Sequence, residues 1–452
     1  MKTLFRLAFI FFAITFCSAT ALHAQIQPTA RLVNAGPANL SCSPAPCRLP
    51  NVQVTNGSTN LASPANIAVN PSNPLQMAVG VEDSSCRAEG AVYTTNNAGA
   101  AWTKACLPFL GVIDFSSVPN LAYDLNGVLY AISHDINLDC GPGSLLETSS
   151  TDNGATWASW TVIFRETDLT TFSDSAVVDS NPSSPFANTV YASATREPSF
   201  GAQILKVFRS SDSGNTWLSV DVATLPHTPA FDSEGFSHLA LASDGTLYLT
   251  WMESSNGTAT PNIMKFSKSA DGGQSWSSPV EIYSATSISP LPNTSVFVEN
   301  SPVIAVDNST GPFAGTLYTA FYNFTGSFMQ VVISHSNDGG NTWSTPVPAA
   351  QPSATHDQYL PWINVDSTGL VGVSWLDRRN DPANVNYRAF VGFSKDGGTT
   401  FKRNTQLAGT LSTPTFGMNW AANAWVGSTL YVVWPDTRTG GKLQTFAGGY
   451  MQ

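Results

Sequence analysis

The chain has 452 residues, of which only 11% are charged, and its formal net charge is −11. No basic run exists to neutralise phosphates, which excludes nucleic acid as a partner. The abundance of Ser, Thr, Asn, Gly and Pro favours short strands joined by many turns over long amphipathic helices.

The first element in chain order is a leader over residues 1–24, where Lys2 and Arg6 precede an apolar run from Leu7 to Phe16. Small residues follow, and Ala19-Thr20-Ala21 and Leu22-His23-Ala24 each offer a cleavage site. This predicts an exported protein, secreted or periplasmic. No later apolar stretch reaches membrane length, so the mature chain has no predicted span. Export permits disulfides. Cys42 and Cys47 can close a small loop around Ser-Pro-Ala-Pro; Cys86 can pair with Cys106, or Cys140 can replace either of them. No CxxC or HxxxH spacing accompanies these cysteines and no nucleotide-binding glycine loop occurs, so neither a metal nor a cofactor is expected.

Residues 25–63 form an N-terminal segment, and from 64 to 452 the chain is periodic. The phrase Ser336-Asn-Asp-Gly-Gly-Asn-Thr-Trp343 recurs at Ser150 to Trp157, Ser210 to Trp217, Ser269 to Trp276 and Ser394 to Phe401, with a degenerate copy at Thr95 to Trp102. Third positions are 55, 60, 59, 67 and 58 residues apart, a structural period. Two β-rich runs precede each copy, as in Val303 to Asp307 and Thr316 to Tyr322, and the copy itself sits between a third run and a fourth. Each unit therefore reads as a four-stranded meander. A seventh pair of runs, Trp420 to Val426 and Leu430 to Trp434, carries no such phrase. The prediction is an all-β propeller of seven four-stranded antiparallel blades, with the N-terminal segment supplying the strand the last blade lacks; a six-bladed ring is the alternative.

The repeated phrase resembles the Asp box, or BNR repeat, of the sialidase superfamily, over roughly Pro64 to the C-terminus. Its parts suit a turn: Asp accepts backbone N–H bonds, Gly permits positive φ, Ser ties down the strand and Trp supplies apolar area. In relatives the boxes lie away from the active site, which assigns Asp338 and its counterparts a structural role.

Function is expected on the opposite face, in the loops from second to third strand and the crossovers between blades. The former carry Asp83, Arg196, Glu253, Asp377, Arg378, Arg379, Asp436 and Arg438; the latter carry His238, Glu299, His356, Asp357, Tyr359 and Trp362. Carboxylates, arginines and aromatics together suit a sugar. Guanidinium groups grip carboxylates bidentately, and the resemblance implies three such arginines, here Arg196, Arg378 and Arg438, with Asp377 and Trp362 beside them. It also implies a Tyr nucleophile activated by Glu, here Tyr359 with Glu299 or Glu253, and an Asp acid/base, here Asp83. The family's Arg-Ile-Pro signature has no counterpart: Arg48-Leu-Pro50 precedes the first blade, and the matching inner run reads Ser63-Pro-Ala-Asn-Ile-Ala-Val69. Two readings follow, a sialidase-like glycoside hydrolase or a noncatalytic glycan- or protein-binding propeller. The expected partner is an extracellular glycan or glycoconjugate, and a monomer is expected.

Overall fold

The computed structural model describes residues 42–452, apart from 57, 59–60, 88, 110–113, 138–142, 166–169, 198–201, 226, 229–230, 233–234, 255–258, 299, 352–354 and 419. The leader and Cys140 lie outside the described residues.

Seven antiparallel four-stranded sheets follow one another in the chain, and no helix occurs among the described residues. Blade 1 runs through Ala62–Val69, Met77–Asp83, Gly90–Thr95 and Thr103–Cys106. The first strands of blades 2 to 7 are Asp114–Tyr123, Thr170–Val178, Gly235–Leu241, Val303–Val306, Gln358–Val365 and Ala422–Val426. Each touches the first strand of the next blade, and that of blade 7 touches that of blade 1, so these strands form the hub of a closed ring. Second strands are sandwiched between neighbouring blades. All seven residues of Val371–Asp377 are buried, and such strands are accordingly apolar nearly throughout rather than alternating.

Blade 7 takes two short stretches of the N-terminal segment as its outer edge. Cys47–Arg48 pairs with Tyr450 and Met451, and Val52–Gln53 pairs with Phe446 and Ala447, all on the strand Gln444–Met451. Disulfides join Cys42 to Cys47 and Cys86 to Cys106.

The boxes form the turns between third and fourth strands. In blade 5, Ser336 Oγ donates to Asp338 (2.8 Å) and accepts from the Gly340 amide (2.9 Å), while the Thr342 amide and hydroxyl donate to Asp338 at 2.9 and 2.6 Å. Those two Thr342 bonds lead in holding the Asp338 carboxyl down to about 2. The box also clamps the preceding blade. Gly340, at φ +87°, lies so close to Phe266 of blade 4 that a Cβ would come within 2.1 Å of the ring. Trp343 packs edge-on against the same ring, with centroids 5.3 Å apart. Likewise the boxes of blades 4 and 6 press on Tyr191 and Tyr318, at the start of the previous blade's second strand. Blade 7 has no box. There the corresponding residue of blade 6 is Gly372, and Trp425 and Leu430 occupy the space.

Candidate functional site

Two kinds of connection share the face opposite the boxes, and the expected site residues fall on it. Several of them are committed to their own blades. In blade 6 the strand end Trp375-Leu-Asp-Arg-Arg379 alternates sides, so Trp375, Asp377 and Arg379 point one way. Asp377 accepts from the Trp375 indole (2.7 Å), from Gln358 (2.8 Å), and from the Arg379 amide and guanidinium (2.8 and 2.6 Å). Arg379 also lies 4.6 Å over the Phe390 ring. Blade 7 repeats the device: Trp434 donates to Asp436 at 2.8 Å, Arg438 pairs with Asp436 at 2.5 Å, and Arg438 covers Phe446 at 4.3 Å. Trp-x-Asp-x-Arg is thus a second staple, readable in the sequence as a two-residue alternation repeated in adjacent blades. Asp377 and Arg438 were expected to hold substrate, and their bonds instead lock strands. Arg438 turns outward to Asn51, on the N-terminal edge (3.2 Å).

Asp83, the expected acid/base, is fully buried and accepts from Tyr93 (2.6 Å) and Lys104 (2.7 Å). Burial opposes its charge, yet the bonds from Lys104, Ser85 and Tyr93 outweigh burial and hold the carboxyl below its ordinary value. It stays an ionised strut. Glu253 sits between the Trp251 indole (3.4 Å) and Lys265 (3.9 Å), and burial raises its carboxyl. Glu299 lies outside the described residues.

Arg378 and Tyr359 are enclosed. Arg378 is 0% exposed, and its Nη1 donates to the Pro292 carbonyl (2.8 Å), the Asn384 carbonyl (3.0 Å) and Asp357 (3.2 Å). Pro292 belongs to the crossover from blade 4 to blade 5, so Arg378 fastens that crossover to the loop of blade 6. Tyr359 is likewise 0% exposed, with Arg378 5.3 Å from its ring centre and no acceptor on its hydroxyl. Burial, partly offset by Arg378, pushes the phenol well up. A nucleophile needs access and a lowered phenol; this one has neither. Among the described contacts Arg378 and Arg438 share no acceptor, and Arg196, in the second strand of blade 3, pairs in register with Thr171 and Ile204. Nothing among the described residues assembles a three-arginine clamp.

Trp362 is different. It stands where the hub strand of blade 6 bulges, between Tyr359 and Trp362, and meets His238 of blade 4 edge-on at 4.8 Å. Blade 5 separates those blades in the chain, so the pair reaches across the hub. A parallel contact joins Phe236 of blade 4 to Trp420 of blade 7, centroids 6.4 Å apart. Phe236 and Leu360 carry positive φ (41° and 49°) at the bulges, which re-aim side chains toward the axis. These four rings are partly exposed and close the loop-face end of the hub. Burial holds the His238 imidazole down to about 4, so it is neutral across the ordinary range. Phe297 and Phe416, in the crossovers on the same face, are 39% and 63% exposed. The sequence pointed to Trp362 but not to Phe236 or Trp420, because cross-hub contacts have no local signal; aromatics just ahead of the hub runs were the available hint.

Residues 238–415, which run from the hub strand of blade 4 through blade 6, match the family of BNR repeat-like domains. The chain is a seven-bladed β-propeller with BNR repeat-like sequence over that stretch. No curated protein matches its sequence. Among solved structures, this propeller resembles an ulvan lyase of a new polysaccharide lyase family, bound to -[GlcA(1-4)Rha3S]-, with 12% identity, TM-score 0.56, and 88% of this chain and 95% of that one covered. A Penicillium chrysogenum α-L-arabinanase complexed with arabinobiose follows at 13% identity and TM-score 0.51, covering 90% and 99%. A leech intramolecular trans-sialidase aligns at 15% identity over 88% and 69%, and its TM-score of 0.45 carries no argument about activity. These likenesses concern the fold alone.

Proposed function

We propose that this BNR propeller is an exported glycan-binding protein that takes a saccharide at the loop-face end of its hub. The carrying observation is the cross-hub cluster of Phe236, His238, Trp362 and Trp420, four rings from three blades that remain partly exposed. Aromatic faces pack against sugar C–H surfaces while a neutral imidazole offers a hydrogen bond, a pairing typical of concave ligand sites. The ulvan lyase and the arabinanase favour the same ligand class by analogy of fold. A hydrolytic step through Tyr359 is disfavoured by its burial.

The test is a glycan array with purified mature protein, followed by assay of reducing-sugar release from each bound species. The expected result is binding without release, with affinity at least tenfold weaker in Trp420→Ala and melting little changed. Release that disappears in Tyr359→Phe would establish a hydrolase instead. Absence of binding to any glycan would overturn the reading.

A further inference from the structure

Arg388 opens the third strand of blade 6, Arg388–Ser394, directly opposite Asp377. Paired positions place Cβ atoms roughly 5 Å apart, so an ion pair with Asp377 would be the ordinary outcome. It does not form. Four donors already reach Asp377: Trp375, Gln358 and the Arg379 guanidinium crowd Oδ2, and the Arg379 amide holds Oδ1. The Arg388 side chain has no hydrogen bond or ion pair among the described residues, and its Nε is buried without an acceptor. Arg379, whose ring partner Phe390 is two residues along the same strand face, also has a buried Nε without an acceptor. Two guanidinium groups therefore stand beside a single carboxylate, and only that of Arg379 bonds it.

Blade 7 supplies an internal comparison. Opposite Asp436 the same register position holds Gln444, which accepts from Gln53 (3.3 Å) and Thr55 (2.9 Å). The locking device thus works without a cation there. In a chain of net charge −11, the neighbouring loop-face cations Arg378, Arg379 and Arg438 each meet a carboxylate, and Arg388 does not.

We propose that Arg388, with Arg379, forms an anion subsite on the loop face that recognises a carboxylate or sulfate group of an acidic saccharide. Arg388 is half-buried with its Nε covered, and the outer edge of a planar guanidinium is complementary to such an oxyanion. This rests on the glycan reading above and narrows it to acidic glycans.

The experiment measures binding of a uronic-acid oligosaccharide, a sulfated oligosaccharide, an uncharged oligosaccharide of equal length and inorganic sulfate, in low and high salt. Arg388→Gln, which copies the residue of blade 7, should weaken at least one acidic oligosaccharide tenfold or more. It should leave the uncharged probe and the melting temperature unchanged. Arg388→Lys should fall between, since it keeps charge but loses the fork. Which acidic probe responds identifies the group. Equal affinity of wild type and Arg388→Gln for both acidic probes would overturn the subsite while leaving hub binding, read by Trp420→Ala, intact. A lowered melting temperature in Arg388→Gln would make Arg388 a structural cation and overturn it too. If wild type binds no saccharide, yet sulfate raises its melting temperature and not that of Arg388→Gln, the subsite stands and the glycan reading falls. If no anion affects the wild type, the subsite falls.

Discussion

Replacing Arg378 by Met should destabilise the ring without bearing directly on ligand binding. Met keeps an unbranched stem of similar length and removes the charge, which strands Asp357, itself 1% exposed. Removing one partner of a buried ion pair costs about 3–5 kcal/mol. Asp357 retains bonds from the Met329 amide (2.9 Å) and Asn384 (2.7 Å), which places the expectation toward the lower end. The carbonyls of Pro292 and Asn384 lose their donor as well, which adds cost. With an unfolding entropy of about 2.1 cal/mol/K per residue over about 400 residues, the loss corresponds to a Tm lower by about 3–6 °C. Calorimetry of wild type, Arg378→Met, Asp357→Asn and the double variant forms a cycle, in which the double should recover more than about 1 kcal/mol relative to additivity. If Arg378→Met melts with wild type but loses glycan binding, the guanidinium grips ligand and its assignment as a fastener is wrong.

Glu147 is 3% exposed with Oε1 unpartnered, and burial raises its carboxyl to about 7. Between its unfolded value near 4.5 and about 7 the native state holds a proton that the unfolded chain has released, so stability falls as pH rises through that window, by at most about 3 kcal/mol. Glu147→Gln should flatten this decline and be the more stable protein at pH 8, as read by urea melts across pH; an unchanged profile would refute the assignment. His134 and His238 act in the opposite sense, since burial holds both down to about 4 and stability is lost as pH falls from 6.5 toward that value. Gly340→Ala drives a methyl into Phe266 and should cost about 2–4 kcal/mol. Gly315→Ala, at φ +81° with open space around it, should cost only about 1 kcal/mol, and equal losses in the two variants would show that the interblade contact contributes nothing.

Six of the seven repeats were legible because Ser336, Asp338, Gly340 and Thr342, like their counterparts, satisfy one another within seven residues, and the seventh through its paired β runs, Trp420 to Val426 and Leu430 to Trp434. The site was less so. Asp and Arg next to each other at Asp377-Arg378 suggested an outward pair, yet strand alternation gives Asp377 to Arg379 and turns Arg378 under the crossover at Pro292. That alternation is visible in the sequence only once Trp375 and Trp434 are read as its other members. Tyr359 and Arg378 were drawn to the surface by their polarity, whereas partners remote in sequence account for their burial. Arg388 became notable only because Asp377, opposite it, is bonded to Arg379 instead, a choice that local sequence does not reveal.

Because each box grips the blade before it, every new blade of an emerging chain docks on a neighbour already made, and the arc can grow in one direction. The last junction cannot. Blade 7 arrives without a grip of its own, and the box that meets it belongs to blade 1, where Asn97 stands in place of Asp and Gly99 faces Tyr431. Closure must therefore wait until Gln444–Met451 is available to receive Cys47–Arg48 and Val52–Gln53, so the N-terminal segment and the last strand act as a latch for the closing seam. A cut between that latch and Ala62 would convert an endless ring into a spring with a free end.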